Sequence, residues 1–137
     1  MYKSLAVVAV FATAILLRTP TSGEAVKLTS RALHVVRLQS NRFVPAETRV
    51  AAGDTIRFIN GQGGPHNVEF ISDSISASAR KIIDSAMPAP KIRELSSGML
   101  ILTNEAYSMV MPALPAGRYS FLCSPHAASM RGALIVP

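Results

Sequence analysis

The chain has one cysteine, no tryptophan and eight acidic residues against fourteen lysines and arginines, and each scarcity excludes something. A lone thiol cannot close an internal disulfide, so the fold is not a disulfide framework. In an oxidising compartment such a thiol is buried, paired between chains or bound to a metal. Beyond residue 25 the arginines are scattered, at Arg31, Arg37, Arg42, Arg49, Arg57, Arg80, Arg93, Arg118 and Arg131, which argues against a nucleic-acid groove. The apolar run from Leu5 to Leu17 has 13 residues, short of the roughly 20 needed to cross a bilayer as a helix.

That run follows Lys3 and precedes Arg18-Thr19-Pro20-Thr21-Ser22-Gly23-Glu24-Ala25, the order of a charged n-region, an apolar h-region and small residues near a cleavage site. Residues 1–25 are expected to be a secretory signal segment, or an N-terminal anchor if uncleaved. The absence of a nearby cysteine argues against a lipoprotein anchor. A cut after Ala25 removes Lys3, Arg18 and Glu24 and leaves twelve basic and seven acidic residues over 26–137. Such a basic domain suits an acidic protein partner or an anionic membrane surface. The expected location is exported, in a bacterial periplasm or at an extracytoplasmic membrane surface. At 137 residues the chain has room for one domain with a real core, 26–137, and not for two of ordinary size.

Short apolar or alternating runs recur over 31–39, 42–50, 54–60, 66–71, 99–103, 106–111, 117–123 and 131–136, most of them separated by turn residues such as Pro45, Gly53-Asp54, Pro112, Pro115 and Gly117. Many short strands with such turn signals point to an all-β sandwich or barrel. One segment departs from this. Asp73 or Ser74 stands at the head of a stretch in which Ile75, Ala79, Ile82, Ile83 and Ala86 share a helical face before Met87-Pro88-Ala89-Pro90 stops it. A short amphipathic helix over about 74–86 is predicted, covering an edge or end of the sandwich. Residues 87–98 are expected to return to the sheet as a loop.

The chemistry is concentrated in Cys123-Ser124-Pro125-His126-Ala127-Ala128-Ser129-Met130, where the one cysteine, one of three histidines and a methionine fall within eight residues. Two imidazoles, a thiolate and a weakly bound axial thioether are the blue-copper donor set. The stretch supplies three of those four, and the second histidine is His34 or His66. His66 lies in Gly63-Gly64-Pro65-His66-Asn67-Val68-Glu69-Phe70, a turn opening into a strand, 57 positions before Cys123. That is enough chain to leave one sheet and return on a neighbouring strand. His34, inside Leu33-His34-Val35-Val36-Arg37-Leu38, reads as a polar residue on the outer face of a first strand. The candidate metal ligands are therefore His66, Cys123, His126 and Met130, for one copper cycling between Cu(I) and Cu(II). Each alone has a plainer reading, as a buried core thiol, a core-filling methionine or a turn histidine; the combination points to a metal.

Gly117-Arg118-Tyr119-Ser120-Phe121-Leu122-Cys123-Ser124-Pro125-His126, with Gly53-Asp54-Thr55-Ile56-Arg57-Phe58-Ile59-Asn60 and Pro65-His66-Asn67-Val68, resembles plastocyanin and its bacterial relatives among the cupredoxins. The resemblance covers most of 26–137, and about 73–98 is the least comparable part. It implies a cupredoxin-like Greek-key β-sandwich of seven to eight strands and a type 1 copper held by His66, Cys123, His126 and Met130. It also implies that Asn67 and Ser124 tie the two ligand-bearing segments together by a hydrogen bond. A backbone N–H donated to the thiolate would raise the reduction potential, and Pro125, lacking an N–H, cannot donate a second. The exposed edge of His126 would serve as the electron port, within a docking collar of Pro65, Pro125, Ala127 and Ala128 and with Arg131 close by.

Three features depart from the family pattern. His126 and Met130 have three residues between them, where plastocyanins usually have four, a spacing nearer azurin's. Leu122 replaces the tyrosine of plant plastocyanins, and no acidic run accompanies it.

The expected function is that of an exported, monomeric blue copper protein that carries single electrons between redox partners by transient docking, an acidic partner among them. It is expected to have no small-molecule substrate, nucleic acid or catalytic residue. The alternative is a periplasmic copper carrier or storage protein. Met87, Met99, Met109 and Met111 form no Met-rich tract, which gives that reading little support. An enzyme with Cys123 as nucleophile would need a base, an oxyanion-stabilising group and a cleft, and the sequence offers only a thiol with a histidine nearby.

Overall fold

Alternation sets the layers of the sandwich. The computed structural model describes residues 31–137; the expected signal segment 1–25 lies outside them. In β1 (Leu33–Gln39) Val36 and Leu38 point inward between exposed neighbours. The chain then forms β2 (Arg42–Val44), β3 (Glu47–Arg49), β4 (Thr55–Asn60), β5 (Glu69–Phe70), α1 (Ala77–Ala86), β6 (Lys91–Arg93), β7 (Ser96–Ser97), β8 (Ala106–Val110), β9 (Gly117–Leu122) and β10 (Arg131–Val136). One sheet has the order β2-β1-β4-β8 and the other β3-β10-β9-β5-β7-β6. Ile56 and Phe58 of β4, Met109 of β8, Phe121 of β9 and Leu134 of β10 fill the space between them. This is an all-β sandwich with one short helix.

The expected run 42–50 is two strands, because the chain changes sheet across Val44-Pro45-Ala46: β2 pairs with β1, while β3 runs parallel to β10. The expected run 99–103 forms no strand. Leu100 alone makes an antiparallel bridge, to His66, and Ile101 and Leu102 are exposed. The expected loop 87–98 contains the antiparallel pair β6 and β7, whose strands are too short and too evenly exposed or buried to show alternation.

Phe121 is the hub of the core. Its ring centroid lies 4.7 Å from that of Phe43, 5.6 Å from Phe58 and 5.8 Å from Phe70, all edge-to-face, an arrangement worth ~0.5–1.5 kcal/mol per pair beyond burial. A Cβ at Gly132 would meet the Phe121 ring at 2.6 Å, so only glycine lets β10 pass this ring. Two residues past Phe121, just beyond the end of β9, the chain delivers Cys123.

The helix starts later than its sequence predicts. Ser72–Ser74 form a 3-10 turn, and the N-cap is Ser76, whose hydroxyl accepts from Ala79 N at 3.3 Å, not Asp73 or Ser74. Ala79 and Ile83 are buried while Ile82 is 40% exposed, so the inward stripe is narrower than the five residues predicted. Asp84 near the helix end accepts from Leu95 N at 2.7 Å and pairs with Lys91 Nζ at 2.9 Å, which fastens α1 to the β6–β7 hairpin.

His34 has a structural role at the start of β1. Asp54, in the turn entered through Gly53 (φ 89°), accepts from Ala32 N and Ala51 N at 2.9 Å and from His34 Nε2 at 2.8 Å. Among the described residues no helix is long and apolar enough to cross a membrane.

Candidate metal centre

Pairing of β5 with β9 brings the distant segments together. Glu69 stands opposite Leu122 and Phe70 opposite Phe121, so the chain entering β5, His66-Asn67-Val68, runs beside the chain leaving β9, Cys123-Ser124.

His66 is fully buried. Its backbone N–H and carbonyl both bond Leu100, at 3.0 and 2.8 Å. Its Nδ1 donates to Asn60 Oδ1 at 2.7 Å, because the amide's Nδ2 is committed to the carbonyl oxygens of Leu100 and Leu102, at 3.2 and 3.1 Å. The other ring nitrogen, Nε2, is buried with no partner. Burial, and secondly the nearby His126, hold the His66 pKa below its ordinary value, which favours the neutral imidazole that a metal requires.

The loop after β9 is closed on itself by backbone hydrogen bonds. Cys123 N donates to Met130 O at 3.1 Å, Met130 N to His126 O at 2.9 Å and His126 N to Cys123 O at 3.0 Å. The three side chains named in this loop are thus held at set separations by local bonds alone. Cys123 and Met130 are fully buried and His126 is half-buried. Cys123 Sγ lies 3.5 Å from His126 Nδ1, and the His126 ring centroid is 5.1 Å from that of His66. Burial pushes the Cys123 thiol up, and hydrogen bonds from the backbone N–H groups of Asn67 and His126 pull it back down.

Among the described residues no three His, Cys, Asp or Glu side chains form a ready-made metal cluster. The contacts that assemble the site run pairwise through His126, and its fourth member is a thioether. The donor chemistry fits copper: two imidazoles, one of them with an orphaned buried nitrogen, a buried thiol beside the ring nitrogen of the other, and a methionine.

Asn67 joins the two segments. Its Oδ1 accepts from Ser124 N at 2.7 Å, and its Nδ2 donates to Ser124 Oγ at 2.9 Å and Ser96 Oγ at 3.0 Å. Pro65, Pro125 and Ala128 are exposed and Ala127 half-buried; Ala127 O accepts from Arg131 Nε at 3.2 Å. The sequence reading missed Asn60, Glu69, Arg93 and Ser96. Asn60 carried a signal, being the one polar residue on the inward alternation Ile56, Phe58, Asn60. The other three depend on strand register and on the β6–β7 hairpin.

A two-sheet sandwich with soft donors gathered beside the end of one strand defines a mononuclear metal protein of the cupredoxin type. Residues 32–137 match the family described as copper binding proteins, plastocyanin/azurin family. Plastocyanin of Vicia faba is 41% identical over 95 residues, which cover 69% of this chain and 86% of that protein. Plastocyanin of Solanum crispum is 38% identical over the same shares. An oxidised proline-to-glycine variant of amicyanin is 27% identical with a TM-score of 0.56, over 82% of this chain and 89% of that one. A Cu(I) methionine-to-glutamine variant of amicyanin is also 27% identical, with a TM-score of 0.53 over 77% and 83%. The chain belongs to the plastocyanin/azurin family of copper-binding proteins. It is a blue copper protein of the electron-transfer class, with type 1 copper as its cofactor.

Proposed function

We propose that His66, Cys123, His126 and Met130 hold the copper, and that the protein is an exported carrier of single electrons between redox partners. The ligand assignment rests on the buried, unpartnered Nε2 of His66, in a ring that faces His126. A buried polar atom without a partner is costly, and a metal ion removes that cost. When bound, copper supplies one-electron exchange between Cu(I) and Cu(II) in a ligand set that suits both states.

The chain's own residues do the rest. Asn60 fixes the His66 tautomer, and the backbone ring from Cys123 to Met130 keeps three donors in place before metal arrives. Burial of His66, Cys123 and Met130 keeps water from the donors and leaves the sulfur no open cleft for a substrate, which favours a carrier over an enzyme. His126, half-buried, is the electron port, and Pro65, Pro125, Ala127 and Ala128 form the collar on which a partner docks. The basic balance of 26–137 would steer an acidic partner. Export follows from the signal-like order of residues 1–25, and the protein acts as a monomer.

The test is to load the protein with one equivalent of copper and cycle it with ascorbate and ferricyanide in the presence of the Cu(I) chelator bathocuproine disulfonate. An intense blue band that bleaches and returns with the metal retained is the expected result. Transfer of copper to the chelator on reduction would replace electron carriage with copper delivery, and failure to bind would overturn the ligand assignment.

A further inference from the structure

Ser124, the residue after Cys123, has every hydrogen-bonding position of its hydroxyl filled. A serine oxygen accepts twice and donates once. Asn67 Nδ2 at 2.9 Å and Arg93 Nη2 at 3.4 Å donate to it, so its one proton must go elsewhere, and the acceptor is Glu69 Oε2. Glu69 is itself held by Arg93, through Nε at 3.2 Å and Nη2 at 2.5 Å. Both carboxylate oxygens are thus engaged, in the two-point geometry that gives arginine pairs their directional strength. Glu69 comes from β5 and Ser124 from the end of β9. Arg93, from β6, and Ser96, from β7 and bonded to Asn67, belong to the hairpin that α1 buttresses through Asp84.

We propose that Glu69 is a positioning residue of the copper centre, clamped by Arg93 so that Ser124 and Asn67 lock the Cys123 strand end against the His66 segment. The proposal rests on the reading of Cys123 and His66 as ligands. Glu69 sets the direction of the Ser124 hydroxyl proton, which leaves the oxygen's lone pairs to receive Asn67. Asn67 is then fixed with its Oδ1 on the backbone N–H of Ser124, the residue next to Cys123. The insertion over 73–98 thereby gains a role at the site, since it carries the arginine and the serine that hold this clamp from outside. Hydrogen-bonded partners of metal ligands typically contribute 10–100-fold to metal affinity, and Glu69 acts on the ligand segments through two hydrogen bonds in series, to Ser124 beside Cys123 and from there to Asn67 beside His66.

Two readouts test it. Amide exchange at Ser124 is followed by NMR in the metal-free protein, and copper release to a chelator is followed in the loaded protein. Glu69→Ala is expected to speed Ser124 N–H exchange about tenfold and to speed copper release by roughly 10-fold or more. Glu69→Gln, which keeps an acceptor oxygen, should restore most of both. Ser124→Ala should give the same release rate whether or not Glu69 is also replaced, since both changes break one linkage. Arg93→Gln, at an exposed residue that leaves the core untouched, should give a smaller change in the same direction. Unchanged Ser124 exchange in Glu69→Ala, or unchanged copper release despite faster exchange, would overturn the proposal, as would full additivity with Ser124→Ala. If the parent protein itself shows no blue band with copper, the ligand reading has failed first and the proposal falls with it; the variants' exchange rates separate the two failures.

Discussion

Asn60 and His66 form a buried pair in which the amide oxygen takes the Nδ1 proton at 2.7 Å and leaves Nε2 as the only ring nitrogen without a partner. The same amide donates to Leu100 and Leu102, so one side chain fixes both the tautomer of the histidine and the turn that covers it.

Asn60→Ala removes an acceptor from a buried N–H and donors from two carbonyl oxygens. The metal-free protein should lose about 1–3 kcal/mol in urea unfolding, and copper affinity should fall roughly 10–100-fold in a competition titration. An affinity equal to the parent's would mean that Asn60 does not orient His66.

Asp54 provides a stability change that copper does not touch. Hydrogen bonds from Ala32 N and then Ala51 N, followed by that from His34, hold its pKa at about 2, against 3.8 ordinarily. The unfolded chain takes up the proton first as pH falls. The carboxylate's contribution, on the order of 2 kcal/mol, is therefore complete above about pH 4 and is lost as pH falls through about 2. Urea unfolding of parent and Asp54→Asn should differ most at neutral pH and converge towards the acid limit. A stability gap independent of pH would contradict this role.

Met130 is fully buried, and leucine nearly conserves its volume, so Met130→Leu should cost less than about 1.5 kcal/mol in the metal-free protein. The copper-loaded variant should stay blue and show a higher reduction potential in voltammetry, because loss of a weak donor disfavours Cu(II). An unchanged potential would mean that the thioether does not bind the copper.

What was legible in the sequence follows from how local each feature is. Cys123, His126 and Met130 could be grouped because the bonds that hold them run within eight residues; β1, β4, β8 and β9 could be read because each alternates, and β10 as a short apolar run. His66 stood out by its Gly-Gly-Pro turn. Its partner Asn60 broke an inward apolar pattern and went unread. Glu69 and Arg93 could not be found this way: the contact depends on the register Glu69 to Leu122 and on β6, which is exposed along its whole length. The helix start was misplaced because Asp73, Ser74 and Ser76 are all competent caps, and only the 3-10 turn at Ser72–Ser74 leaves the role to Ser76.

The assignment of Cys123 as the copper-bound thiolate is tested most directly by the visible absorption of copper-loaded Cys123→Ser beside that of the parent chain, with far-UV circular dichroism to check that both are folded. The thiolate bond is the source of the intense blue band, so the parent should be blue and bleach with ascorbate, while the folded serine variant should be pale. A blue band surviving in Cys123→Ser would contradict the assignment.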